Sequence, residues 1–429
     1  MPTTAVATTP RPTRCCGRPS RCVARTRARP TGMLLGPTWS SARQKGVRMS
    51  TKAPSAMPER PDPSSKRSVL KKGQGAPQTR ADSLLWADVL NARAEGLENT
   101  GAPDSAETLA RRALSIRRAV HGRDHPAVQS AKTTLASALR EQKKFVASAR
   151  VYRDILAWKR KRGDSLQVAQ TLNDLGYLLR SQGNPGRAER RYRQALRIYE
   201  TQLGPAHPTT LATRGNNLST VLRSQDDYAA TERVLREQLR AVRARYPDES
   251  SRVGTWAAWL GEVLLARGHH LAEAEALLRE SVRIYEANNL PDPKVARHQA
   301  ILGRCLAMRG KGRRARSLLS KSRAALRPDS SRRSLAPYRQ HDLAQAELGL
   351  GLYHLRRERY ARAESLLTSA HSRFESFYGA LPGDHHPLLP VRQVRGRLAE
   401  LYEAWGKPAL AKRYRRTAGQ NEDAVAVGQ

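Results

Sequence analysis

Phenylalanine occurs three times, cysteine four times and methionine five times in 429 residues, and aromatic side chains make up only 5%. That is thin material for one large closed core, which leans on bulky rings for buried area. The four cysteines exclude a disulfide scaffold: Cys15, Cys16 and Cys22 cluster near the N-terminus and Cys305 stands alone. The first three lack a fourth ligand and a second spaced pair, so no zinc site follows from them. Cys305 beside Leu306 reads as a small buried filler. A reducing, cytoplasmic location is the natural expectation.

Long apolar runs are missing too. No stretch of about 18 apolar residues exists that could span a bilayer, and Met33-Leu34-Leu35 is too short for a secretory signal. The first 48 residues hold ten basic and no acidic residues, a transit-peptide composition. Pro10, Pro12, Pro19, Pro30 and Pro37 would break the amphipathic helix such a peptide needs. Translation from Met49, with residues 1–48 as an overrun, is the simpler reading of that segment. Acidic residues are the other shortage: 38 against 77 Lys plus Arg, for a formal charge of +39. Residues 1–80 contribute 17 basic and 2 acidic side chains, and the remaining 349 residues contribute 60 and 36. The excess therefore continues through the folded part, which should attract anionic partners and lose that attraction in salt.

What is present is a period. The pairs Leu135-Ala136, Leu175-Gly176, Leu218-Ser219, Leu260-Gly261, Leu302-Gly303, Leu350-Gly351 and Leu398-Ala399 lie 40, 43, 42, 42, 48 and 48 residues apart. Such spacing marks stacked helical hairpins. Around Leu175, residues Leu172, Leu175 and Leu179 give one apolar helix face, and Gly183-Asn184-Pro185-Gly186 gives a stop and turn. Ala188, Tyr192, Ala195, Leu196 and Tyr199 then give a second face. The small residue opening this second helix recurs as Ala106, Ser148, Ala188, Thr231, Ala274, Ala315, Ala363 and Ala411. An acid follows as Glu107, Glu189, Glu232, Glu275 and Glu364, suited to the helix dipole. Four residues after the small slot stands Tyr152, Tyr192, Leu235, Leu278, Leu319 or Leu367. The glycines predict close approach of the paired helices, with the Tyr or Leu filling the gap. Glycine in a helix costs about 0.5–1 kcal/mol relative to alanine, so its repetition at one slot implies a steric need. The first unit departs from the pattern, with Arg93 where the leucine should stand.

These residues resemble the tetratricopeptide repeat. The period of about 42, with joints such as His121–Pro126 and Leu203–Pro208, resembles the variant of kinesin light chains and many bacterial proteins, some of them regulators. Leu401–Pro408 resembles a terminal repeat of such arrays. The resemblance implies an all-α, right-handed superhelical α-solenoid of helix-turn-helix repeats. Residues 1–80, rich in Pro, Ser, Thr, Arg and Gly, read as a disordered tail. Residues 81–417 read as about seven repeats plus a capping repeat, and 418–429 as a flexible tail. Insertions at Arg327–Gln340 and Gly379–Pro390 would disturb a uniform superhelix.

The resemblance also implies that the first helices line a concave, peptide-binding face. Transferred here, that face carries Thr133 and Arg140, then Asn173, Tyr177 and Arg180, then Asn216, Asn217 and Arg223. Amides can pair with an extended peptide backbone, and guanidinium forks can take carboxylates. The expected function is non-catalytic: an adaptor holding an extended, acidic segment of a protein partner, with no cofactor or metal. Trp256 and Trp259 could end the groove or serve the core. His125-Pro126, His207-Pro208 and His386-Pro387 read as joints opening a helix, with Pro in its first turn. No phosphate loop, His-Glu-x-x-His or nucleophile elbow occurs. Two alternatives stay open. The runs Trp158–Arg162 and Arg309–Arg314 could grip phosphates of a nucleic acid, and the chain could be the regulatory subunit of a separately encoded kinase or regulator.

Overall fold

The structure, a computed structural model, describes residues 79–100, 102–327, 337–379 and 389–415. Expectations for the N-terminal tail, for Cys15, Cys16 and Cys22, for His386, for the centres of both insertions and for residues 418–429 lie outside these. Every regular element among the described residues is a helix. They pair as α1 (Arg80–Thr100) with α2 (Pro103–His121), α3 (Pro126–Glu141) with α4 (Phe145–Lys161), and α5 (Ser165–Ser181) with α6 (Pro185–Leu203). The fourth hairpin joins α7 to α8 (Tyr228–Arg245). Here α7 is one continuous helix made of Pro208–Ala212, a π-helical stretch Thr213–Leu218, and Ser219–Ser224. Then come α9 (Ser251–Arg267) with α10 (Leu271–Ala287), α11 (Asp292–Met308) with α12 (Gly312–Leu326), and α13 (Pro337–Leu355) with α14 (Tyr360–Gly379). The last first helix is α15 (Leu389–Ala404), followed by helical residues 408–415. Stacked in order, the hairpins form a right-handed superhelical α-solenoid.

Local chemistry sets the helix ends. Proline opens α2, α3, α6 and α7, where its missing N–H costs nothing. Asp164 accepts from the Gln167 amide at 3.0 Å and Asp227 from the Ala230 amide at 2.8 Å, each taking up an orphan donor. His125 and His207 do the same through Nδ1, from the amides of Ala127 and Thr209, both at 3.2 Å. These two His-Pro pairs are therefore helix caps. Gly183 turns the third hairpin at φ 80°, a left-handed backbone that a side chain would strain.

The repeating slots meet as their sequence implies. A Cβ built on Gly176 would stand 2.6 Å from the Tyr192 ring. On Gly261 it would stand 2.8 Å from Leu278, on Gly303 2.5 Å from Leu319, and on Gly351 2.6 Å from Leu367. All eight small-slot residues from Ala106 to Ala411 are buried. In the second hairpin Ala136 replaces the glycine opposite Tyr152, and the Ser148 hydroxyl donates to the Ala136 carbonyl at 2.6 Å. The first unit keeps its small residue as buried Ala94, with Arg93 turned outward.

The recurring acidic slot does more than complement the helix dipole. Glu107 pairs with Arg111 of its own helix and with Lys144 at 2.8 Å, in the turn of the following hairpin. Glu189 accepts from Gln225 at 2.9 Å, Glu232 pairs with Arg267, and Glu275 pairs with Arg309 and with Lys311 at 2.7 Å. Glu364 accepts from the Tyr402 hydroxyl at 2.7 Å. Each acid thus ties its hairpin to the next one in the stack. The Lys144 and Arg111 partners outweigh burial at Glu107 and draw its carboxyl down to about 2.

Candidate binding face

First helices touch first helices at α1–α3, α9–α11, α11–α13 and α13–α15, which makes the first helices the inner layer of the curved stack. Between α3, α5 and α7 the inner helices are linked through long side chains instead. The Tyr177 ring on α5 lies between two guanidinium groups: Arg140 of α3 at 4.4 Å and Arg180 of α5 at 4.8 Å. Cations over an aromatic face are attracted by its quadrupole. Arg140 also pairs with Glu141 at 2.6 Å, whereas Arg180 has no carboxylate partner. One hairpin on, Asn217 of α7 donates to Asn173 of α5 at 2.8 Å, and the two side chains keep three N–H donors and three acceptor lone pairs between them for a third body. Thr133 bonds back to the Gln129 carbonyl at 3.1 Å. The backbone carbonyl of Asn216 accepts from Thr220, and its side-chain amide has no partner. All these residues are half-buried, neither in the core nor fully in solvent.

A carboxylate also lies among them, Asp174, next to Asn173 on α5. Burial pushes Asp174 up to about 6, while Arg140 and Lys159 pull it the other way. Its neighbour Lys159 is turned inward and donates to Thr171 at 3.0 Å. That lysine belonged to the first basic run, so the run holds one cation fewer for phosphate than its sequence offers. Arg162 of the same run stacks over Trp158 at 4.9 Å. In the second run Arg309 and Lys311 are committed to Glu275.

Arg223 stands apart from the Tyr177 cluster, over the Trp259 ring at 5.7 Å. Trp259 meets Trp256 edge-on at 5.1 Å, and Trp256 fills the space that a side chain on Gly215 would need. The two tryptophans pack against the core at the end of the inner face. Beyond them the inner layer is filled by the chain itself. Glu262 of α9 accepts from Gln345 of α13 at 3.2 Å, and Gln345 accepts from Arg304 of α11 at 2.5 Å, all three buried. Burial would raise the Glu262 carboxyl, but Arg223, His341 and Arg304 outweigh it and hold it below its ordinary range. Finally α15 reaches back across the stack: Arg392 pairs with Asp226 at 2.7 Å, and Gln393 donates to the Ala266 carbonyl at 3.2 Å. No sequence signal links positions so far apart.

Other reactive candidates are quiet. Cys305 is buried and its thiol is pushed up to about 11 by burial, which removes the thiolate a nucleophile needs. Among the described residues no group of three or more His, Cys, Asp or Glu side chains could hold a metal ion. No helix among them is long and apolar enough to cross a membrane.

The geometry defines a helical-hairpin solenoid with an accessible inner face near its N-terminal end. Tetratricopeptide repeat profiles match residues 86–127, 129–201 and 167–244, and this part of the chain is a tetratricopeptide repeat array. Among solved structures, the apo form of RapI overlaps with TM-score 0.64 at 12% identity, over 85% of this chain and 92% of that one. Aspartyl phosphate phosphatase F from Bacillus subtilis gives 0.53 at 12%, over 83% and 87%. Kinesin light chain repeats from Podosopora anserina give 0.42 at 17%, over 47% and 95%. Identities this low speak to fold alone. Among curated proteins, none matches the sequence significantly.

Proposed function

We propose that this protein is a non-catalytic adaptor whose inner face at the second to fourth hairpins holds an extended, carboxylate-bearing segment of a partner protein. The observation that carries the reading is the Tyr177 platform, flanked by Arg140 and Arg180 and continued by the Asn173–Asn217 pair. Arg180 supplies a guanidinium fork free of any internal carboxylate, and a charge-assisted pair there is stronger than a neutral hydrogen bond. The amides of Asn173, Asn216 and Asn217 supply donors and acceptors for a strand-like backbone, which carries both. Thr133 and Arg140 border the face on one side and Arg223 with Trp259 on the other. The repeat fold is generally a binding scaffold, and this supports an adaptor over an enzyme.

Asp174 makes the reading testable by pH. Ionised, it repels an acidic ligand; protonated, it does not. Binding of a fluorescent peptide of repeating Gly-Glu should therefore tighten as pH falls from 7.5 to 5.5, through the raised value of about 6. Asp174→Asn should flatten that profile. Arg180→Ala with Asn216→Ala should weaken binding by roughly tenfold or more, a loss of at least about 1.4 kcal/mol. Unchanged affinity in that double variant, with helicity intact, would contradict the reading.

A further inference from the structure

A second surface lies on the opposite side of the same hairpins. Between the outer helices α6 and α8 lies a hollow of about 550 Å³. Leu196, Leu218 and Val234 form its apolar floor. Arg190, Arg197 and Arg233 stand exposed around it, and none of the three has an ion-pair partner. Five arginines line the hollow against two glutamates, and one of those, Glu200, is already taken by Arg214 at 2.5 Å.

Arg214 lies beneath this place and, like Arg223, Arg304, Arg339 and Arg392, keeps a buried Nε without an acceptor. It is 3% exposed and donates to the Pro205 carbonyl at 3.2 Å as well as to Glu200. Buried donors of that kind are rare in folded proteins and ask for a reason. It also sits in the π-helical stretch Thr213–Leu218, an irregularity frequent at functional positions. A neighbouring hollow of about 480 Å³ between α4 and α6 shares Arg190 and reaches exposed Val146.

We propose that this outer hollow is a second docking site, for an acidic protein segment that carries a leucine-sized apolar anchor flanked by carboxylates. The floor takes the anchor and the rim arginines take the carboxylates, pairs favoured over neutral contacts. Apolar contact with a charged rim is the anatomy of a protein interface. A nucleic acid fits less well, because no aromatic side chain lines this hollow to stack a base. The site is independent of the inner-face reading and allows one chain to bridge two partners.

Fluorescence anisotropy on the full chain tests this with a labelled peptide of alternating Glu-Glu and Leu-Leu pairs. The triple variant Arg190→Glu, Arg197→Glu, Arg233→Glu changes exposed side chains, and circular dichroism should show its helicity unaltered. Measured in the Arg180→Ala, Asn216→Ala background, which silences the inner face, it should weaken the peptide by roughly tenfold to a hundredfold. Equal binding of an all-glutamate peptide in that background would remove the apolar anchor and overturn the proposal. So would loss of binding in the inner-face variant alone, or no binding by the wild-type chain. A single-stranded oligonucleotide that competes for the same arginines would reassign the surface to nucleic acid and overturn it too.

Discussion

The two halves of this solenoid use the same repeat to different ends. In the first four hairpins the buried side chains form separate clusters, one per hairpin or pair of hairpins. From Val253 to Ala411 most of them join one large cluster that also takes in Leu211 and Leu235 of the fourth hairpin, beside a small separate one of Ala296, Leu326 and Leu343. The inner helices of the second to fourth hairpins are spanned by Tyr177, Arg140 and the Asn173–Asn217 pair, all half-buried. Those of the fifth to seventh are in contact, and Glu262, Arg304 and Gln345 are buried between them. A repeat that spends its inner polar groups on itself becomes a rigid base; one that leaves them half-exposed can accept a guest. Repeat arrays draw stability from each unit and its neighbour interfaces, so the halves should also differ in how they yield.

The largest expected contrast is in glycine packing. Leu319 is wedged between Gly303 and Gly349, whose added Cβ atoms would lie 2.5 and 2.6 Å from it, so it cannot retreat. Gly303→Ala should cost about 3 kcal/mol, the upper end for overpacking a core. Tyr192 faces Gly176, and the second hairpin already accommodates Ala136 opposite Tyr152. Gly176→Ala should cost about 1 kcal/mol by the same scale. Urea midpoints of the two variants measure the difference, and equal losses would erase the contrast.

Next in size is acid sensitivity in the second half. Burial drives His298 down to about 3, and its ring sits against Tyr285 with Nδ1 2.7 Å from the Ser281 hydroxyl. The folded state keeps this ring neutral while the unfolded chain takes up a proton below pH 6.5. Its contribution is therefore complete above pH 6.5 and shrinks as pH falls toward 3. Between pH 7 and 5 the wild type should lose about 2 kcal/mol more than His298→Asn, by linkage at 1.36 kcal/mol per unit. Parallel denaturation at both pH values checks it; identical losses would mean the ring is solvated.

The smallest effect belongs to the first half. The Tyr192 hydroxyl is buried without a partner, whereas the Tyr152 hydroxyl lies 3.5 Å from Ser137. Tyr192→Phe should stabilise by about 1 kcal/mol, by removing an unmet polar group. A melting temperature that falls instead would point to a partner for that hydroxyl.

Much of this was legible in the chain. Glycine opposite Tyr or Leu and the small slot are local patterns within one hairpin, the His-Pro joints at His125 and His207 are local to a single helix start, and the structure realises them. The acidic slot was legible as a position but not as a tie, because Glu275 finds Lys311 only once the next hairpin is stacked. Contacts that depend on superhelical pitch left no trace in sequence. Arg392 meets Asp226 across nearly half the array, and the burial of Glu262 by Gln345 follows from that curvature. The π-helical stretch at Thr213–Leu218 and the outer hollow beside it were equally invisible, since they arise from how α7 fits its neighbours.

Arginine footprinting puts the two halves to the most direct comparison. With p-hydroxyphenylglyoxal, Arg180 should react readily and be shielded when the Gly-Glu peptide is added, while buried Arg304 stays unmodified throughout. Fast labelling of Arg304, or an Arg180 that the peptide leaves unshielded, would contradict the assignment of binding to the N-terminal inner face.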